Sequence, residues 1–93
     1  MVTVVIQIEL QIPGISSLKE KRRVLKSLIA SIQNKFNVSI AEVGDNDVYR
    51  KATLGVALVS NSSSFGHQAA QKVINQIERN HDLFIADYRM ETY

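Results

Sequence analysis

Residues 2–12 alternate apolar and polar side chains almost without a break, and that alternation dictates a strand with one buried face. Val2, Val4, Ile6, Ile8, Leu10 and Ile12 project one way; Thr3, Gln7, Glu9 and Gln11 project the other, with Val5 the exception. A period of two belongs to the pleated strand, whereas a helix would scatter these side chains around its circumference. Such a strand cannot stand alone. It needs further strands beside it and a second layer over its apolar face. Pro13-Gly14 ends it.

The period then changes. Ser17-Leu18-Lys19-Glu20 is a capping box, in which serine and glutamate satisfy exposed backbone donors at a helix start. Leu18, Leu25, Leu28, Ile29, Ile32 and Phe36 recur at helical spacing as a core-facing stripe, and the helix is expected to end near Lys35. Val38 and Ile40 open a second strand that fades at Gly44, and Asp45-Asn46-Asp47 supplies turn chemistry. Residues 52–59 form a third strand. Its even face (Ala52, Leu54, Val56, Leu58) and odd face (Thr53, Gly55, Ala57, Val59) are both apolar or small, which predicts a central position. A serine-rich loop, residues 60–64, leads into a second helix with Phe65, Ala69, Ala70, Val73, Ile74 and Ile77 as its stripe. Leu83 to Met90 reads as a last strand, whose inward face the pattern leaves open.

The order β-α-β-β-α-β packs most economically as two helices on one face of a four-stranded antiparallel sheet. Right-handed crossovers then give the strand order 4-1-3-2 of a ferredoxin-like α+β fold, with residues 1–93 as a single domain. That path brings the start of the first helix, the turn around Asp45 and the Arg79–Asp82 corner to one end. Residues of the 93 are 45% hydrophobic and 22% charged, ordinary for a packed domain. With no cysteine, disulfides, thiolate nucleophiles and cysteine-based zinc sites are excluded. The absence of an export signal and of a long apolar run predicts a cytoplasmic protein without membrane contact.

Charge is unevenly placed. Lys19, Lys21, Arg22, Arg23 and Lys26 face a single acid, Glu20, within eight residues, whereas the rest of the chain holds six basic and eight acidic residues. Cations in the first turns of a helix oppose its dipole and cost ~0.3–1 kcal/mol each. A local rule broken in this way points to function. Lys19, Arg23 and Lys26 share a face at i, i+4 and i+7; Arg22 borders the apolar stripe, and Lys21 falls inside its phase. One reading is contact with RNA phosphates. The other is a solvated face in which Glu20 pairs with Arg23, Lys21 snorkels over apolar neighbours, and Asp45 and Asp47 neutralise the patch.

The remaining candidates are weaker. Glu42, Asp45 and Asp47 form an acidic cluster of a kind that serves acid–base chemistry or holds a hard cation. The places of an EF-hand's glycine and closing glutamate are held by Arg50 and Val56, so turn formation and pairing with the basic pole are the simpler roles. Tyr49 and Arg50 end the turn, as a partner anchor or as cover for the sheet edge. His67 and His81 lack metal-site spacing and read as structural, the first in the opening turn of the second helix and the second at its end. No nucleophile elbow, P-loop or dinucleotide fingerprint is present. An RNA-recognition motif shares this element order, but its stacking aromatics have no counterpart in Val4–Ile8 or Thr53–Ala57. The odd face of the third strand, with Val5, Ala41 and Val43, predicts a partly apolar open sheet that a homodimer packed face to face or by edge strands would cover.

Two blocks carry a resemblance: Ser17-Leu18-Lys19-Glu20-Lys21-Arg22-Arg23-Val24-Leu25-Lys26-Ser27-Leu28, and Phe36-Asn37-Val38-Ser39-Ile40-Ala41-Glu42-Val43. Together with the stretch from Asp47 into the Ala-Thr-Leu-Gly of the third strand, they resemble the YlxP-like family of small bacterial proteins. The matching signature positions are Ser17, Leu18, Lys19, Lys21, Arg22, Phe36, Asn37, Val38, Ser39 and Glu42, and Tyr49 stands where the family often has another aromatic such as tryptophan. The resemblance implies a ferredoxin-like fold and, by gene neighbourhood, a role near translation and ribosome maturation. It implies no catalytic residues.

The expectation is therefore a non-enzymatic module whose basic pole, Lys19, Lys21, Arg22, Arg23 and Lys26, meets ribosomal RNA or the ribosome, without cofactor, metal or DNA sequence specificity. Glu42, Asp45, Asp47, Tyr49 and Arg50 are candidate partner-binding residues. The alternatives are a homo-oligomer using the open sheet and, last, an enzyme acting on a phosphorylated substrate through the acidic cluster.

Overall fold

The computed structural model describes all 93 residues. Six elements follow one another: β1 (Val2–Gln11), α1 (Leu18–Lys35), β2 (Ser39–Gly44), β3 (Lys51–Ser60), α2 (Ser63–Glu78) and β4 (Phe84–Thr92). The strands form one antiparallel sheet in the order β2-β3-β1-β4, the ferredoxin-like arrangement that the element order predicts. Both central strands are the ones with the longest apolar patterns. No helix is long and apolar enough to cross a membrane.

The register explains which residues are buried. Val4, Ile6, Ile8 and Leu10 of β1 stand beside Leu58, Val56, Leu54 and Ala52 of β3, and all eight lie beneath the helices. From α1 the buried positions are Lys21, Leu25, Leu28 and Ile32, an i, i+4, i+7, i+11 line in which one member is a lysine. From α2 they are Gly66, Ala70, Val73, Ile74 and Ile77. Phe65 is 64% exposed, contrary to the sequence pattern. Gly66, not Phe65, lies in line with Ala70, Val73 and Ile77, and a Cβ there would come within 2.8 Å of Val4 Cγ2. The absence of a side chain lets α2 rest its backbone on β1.

Both helices begin as their sequences dictate. Ser17 and Ser62 are the N-caps, their hydroxyls accepting from the N–H groups of Glu20 and Phe65. Glu20 Oε2 in turn accepts from Ser16 N–H at 2.9 Å, one residue further back than the usual box. This occupies the carboxylate expected to pair with Arg23. His67 falls in the second turn of α2 rather than the first, and bonds Thr92 Oγ1 of β4 at 2.5 Å.

The last strand shows the face that its sequence leaves open. Met90 and Tyr88 stand beside Ile6 and Ile8 and so lie on the helix side; Glu91, Arg89 and Asp87 stand beside Val5, Gln7 and Glu9 on the open side. The register slips between Glu9 and Leu10, because Ala86 is an extra residue between Asp87 and Ile85. This bulge is what turned a simple alternation into an ambiguous one.

Candidate functional site

The first turns of α1, the β2–β3 turn and the corner after α2 meet at one end of the molecule. A shallow groove at this end is lined by Pro13, Gly14, Ile15, Glu20 and Arg23 on one side and by His81 and Asp82 on the other. Three further contacts fasten it. Ile12 N–H donates to Arg50 O at 2.8 Å, Arg50 Nε donates to Ile15 O at 3.1 Å, and Lys21 reaches across to the β2–β3 turn.

Lys21 departs from the expected phosphate-binding set. It is 1% exposed, and its ammonium donates to Asp45 O and Val48 O, each at 2.6 Å. Glu42 Oε2 lies 2.6 Å from the same nitrogen and has no other partner, so that contact is coulombic more than directional. A buried ammonium persists only where its protons find acceptors and its charge finds a counter-charge, and Lys21 has both. It is a structural clamp between α1, β2 and the following turn, not a free cation. Asp45 supports the clamp by adopting φ 59°, a left-handed conformation that aspartate tolerates better than most residues.

The acidic cluster is dispersed by the same contacts. Glu42 belongs to Lys21; Asp45 presents its carbonyl to that lysine and its carboxylate Oδ2 to Thr53 Oγ1 at 3.2 Å. Asp47 is exposed, and no three histidine, aspartate or glutamate side chains come together as a ligand set. Glu42, rather than Asp45 or Asp47, supplies the charge that answers Lys21. Tyr49 is half-buried and packs against the core, with the Arg50 guanidinium 5.4 Å from its ring centre. Tyr49 thus covers the sheet, and Arg50 braces the loop that precedes α1.

Four cations remain: Lys19, Arg22, Arg23 and Lys26. All four are exposed, and none has a carboxylate within ion-pair distance, since Lys21–Glu42 is the one ion pair in the molecule. They are spread around the outer half of the helix. Arg22 and Lys26 border a groove toward β2 with Leu25, Ile29, Ala30, Gln33 and Glu42. Arg23 leans the other way, into the groove that holds Glu20 and Asp82.

A second basic surface escaped the sequence reading. Lys35, Lys72 and Arg79 line a cleft between the end of α1 and α2, together with Phe36, Asn75 and Gln76. Lys35 Nζ donates to Gln76 Oε1 at 3.0 Å and bridges the two helices. These residues are far apart in sequence, and no charge run announces them. Knowing that α2 runs beside α1 is what brings them together. The helix layer consequently carries two basic patches, whereas Glu9, Asp87 and Glu91 lie on the opposite, open face of the sheet.

Comparison with known proteins identifies the family. Residues 3–90 match the family model described as "Protein of unknown function (DUF503)". The chain is also 45% identical over 62 residues, 67% of either chain, to the "Uncharacterized protein YlxP" of Bacillus subtilis (strain 168). The family match spans all six elements, from β1 into β4, and the chain belongs to this YlxP-like DUF503 family.

Proposed function

We propose that the protein is a cytoplasmic, non-enzymatic RNA-binding module whose exposed α1 cations engage the phosphates of ribosomal RNA. The observation that supports this reading is the division among the five cations of the first helix. One is consumed by the fold, and the other four stand in water without a carboxylate partner. Lys19 in the first turn opposes the helix dipole, and none of the four cations gains an ion pair, so an anionic partner would account for their placement. The Lys35–Lys72–Arg79 cleft extends the same positive face. The open sheet lacks stacking aromatics over its central strands, which favours phosphate contact over base reading.

The test is binding of purified ribosomal RNA by the full chain and by a variant with Lys19, Arg22, Arg23 and Lys26 all replaced by glutamine. Four phosphate contacts correspond to a roughly 100-fold loss of affinity for a fourfold rise in salt. The variant is expected to fold, bind weakly and lose most of that salt dependence. Equal binding by the two proteins would move the site elsewhere, and no binding at low salt would refute the function.

A further inference from the structure

The two edges of the sheet are unlike. β2 is six residues long and is broken by a bulge between Glu42 and Gly44, which blunts it. β4 is nine residues long, and its bulge is confined to Ala86, leaving Asp87–Thr92 regular, without proline or lysine. Thr3 and Tyr93 exchange both backbone hydrogen bonds, Thr3 N–H to Tyr93 O at 2.9 Å and Tyr93 N–H to Thr3 O at 2.8 Å. Hydrogen-bonded pairs alternate along an antiparallel ladder. Glu91, Arg89 and Asp87 therefore also turn their backbone groups toward β1, and Thr92, Met90 and Tyr88 turn theirs outward. The outward N–H of Tyr88 is held at 2.9 Å by Asp87 Oδ1, a local acceptor that a strand carbonyl can replace.

An edge of this kind accepts another strand, and the charges on β4 discriminate among registers for a second copy. Antiparallel pairing about Arg89 sets Arg89 against Arg89 and Asp87 against Glu91, like charge against like in every charged pair. Pairing about Tyr88 requires the bulged Ala86 to face Met90 across the ladder. Pairing about Met90 avoids both. It joins outward Tyr88 to outward Thr92 and Met90 to its own copy, and places Arg89 opposite Glu91 twice. Within one chain these two side chains are already steadied on the open face, Arg89 Nη2 by Gln7 Oε1 at 3.3 Å and Glu91 Oε2 by the Tyr93 hydroxyl at 2.5 Å.

We propose that β4 pairs antiparallel with β4 of a second copy about a two-fold axis at Met90, so that Arg89 of each chain faces Glu91 of the other. The result is a continuous eight-stranded sheet, closed because the pairing uses one edge of each chain. Because the contact is along the edge, it leaves the apolar open face of Val43 and Val59 uncovered.

Sedimentation equilibrium over a range of protein concentrations tests the proposal. The unmodified chain is expected to form a dimer. Arg89→Glu and Glu91→Arg each turn two attractive pairs into two repulsive ones and weaken it about tenfold or more, and Arg89→Glu/Glu91→Arg together restore it. Circular dichroism establishes that each variant is folded; if one is not, the other tests the same pair from its opposite side. In hydrogen exchange, the amides of Tyr88, Met90 and Thr92 gain protection as concentration rises, while those of Arg89 and Glu91, already bonded to β1, do not change. A chain that stays monomeric at every concentration overturns the proposal. So does a dimer indifferent to both single reversals.

Discussion

Lys21 Nζ and Glu42 Oε2 lie 2.6 Å apart at the seam between α1 and β2, the lysine side chain 1% exposed and the glutamate 21%. The pair is asymmetric. The ammonium has two carbonyl acceptors in addition to the carboxylate, whereas that carboxylate oxygen has the ammonium alone. Replacing Lys21 by methionine keeps the length and apolar stem but strands Asp45 O, Val48 O and Glu42 Oε2 together. The expected cost is about 2–4 kcal/mol. Glu42→Gln leaves the carbonyls in place but strips the buried ammonium of its one counter-charge, so it costs about 3–5 kcal/mol and is the larger of the two. Urea denaturation of the two variants checks both the magnitudes and their order.

Gly66 yields a prediction of the opposite sign to its local preference. Alanine in a helix interior is favoured over glycine by ~0.8–1 kcal/mol. At this position the new methyl would stand 2.8 Å from Val4 Cγ2 and 3.4 Å from Ser60 Cβ, and Val4 is fully buried and cannot yield. Overpacking a well-filled core costs ~1–3 kcal/mol. Gly66→Ala is therefore expected to lower the unfolding midpoint; a raised one would mean that α2 lifts freely from β1.

How much of this was legible in the sequence depends on whether a residue's role is set by its own element or by another. The strand and helix periods located all six elements to within about two residues, a normal boundary scatter, and the two-sided apolar pattern placed β3 centrally. The phase of Lys21, between Leu18 and Leu25, already put it in the buried stripe of α1. That its counter-charge is Glu42 was not visible, because it depends on how β2 lies against that helix. The Lys35–Lys72–Arg79 cleft was hidden for the same reason. Phe65 misled because a large apolar side chain at helical spacing outweighs a neighbouring glycine in any pattern count, although the glycine is what the packing uses. The four free cations were legible as charge, and only the distances show that Glu20 caps Ser16 instead of neutralising Arg23.

The Tyr93 hydroxyl donates to Glu91 Oε2, and this bond, followed by the charge of Glu91 and a small loss of solvent, raises its pKa above the ordinary 10.0. A raised folded-state value means that folding favours the protonated phenol. That contribution is whole below pH 10 and fades as pH climbs through the folded-state pKa. Ultraviolet titration of the tyrosines is expected to lose an ionisation above 10 in Tyr93→Phe and to show it moved downward in Glu91→Gln. An unchanged titration curve in Glu91→Gln would show that the bond does not persist in solution.

If the helix layer binds RNA as proposed, its two basic patches are expected to make separable contributions. Replacing Lys35, Lys72 and Arg79 by glutamine removes three cations that line one cleft and leaves α1's first turns intact. If both patches meet the same RNA, the triple variant lowers the slope of log affinity against log salt by about 2–3, and the quadruple α1 variant by about 3–4. A triple variant with the unmodified slope would confine the RNA to the first turns of α1.

The edge pairing and the basic helix are independent proposals, and one substitution couples them in a direction that charge alone would not give. A two-fold axis perpendicular to the sheet keeps the helices of both copies on one side, so dimerisation doubles the cationic surface that one RNA can meet. Joint engagement of two sites raises apparent affinity well beyond either alone. Glu91→Arg adds positive charge to every chain, and simple electrostatics would make it bind RNA more tightly. By setting arginine against arginine across the β4–β4 ladder it also separates the copies, so its RNA affinity is expected to fall and its salt dependence to become shallower. Restoring the complementary pair with Arg89→Glu should recover both, at unchanged net charge relative to the original chain. RNA titrations of the three proteins, at a concentration where the unmodified chain is dimeric, decide it. An affinity that simply follows net charge would leave the two surfaces unconnected in function.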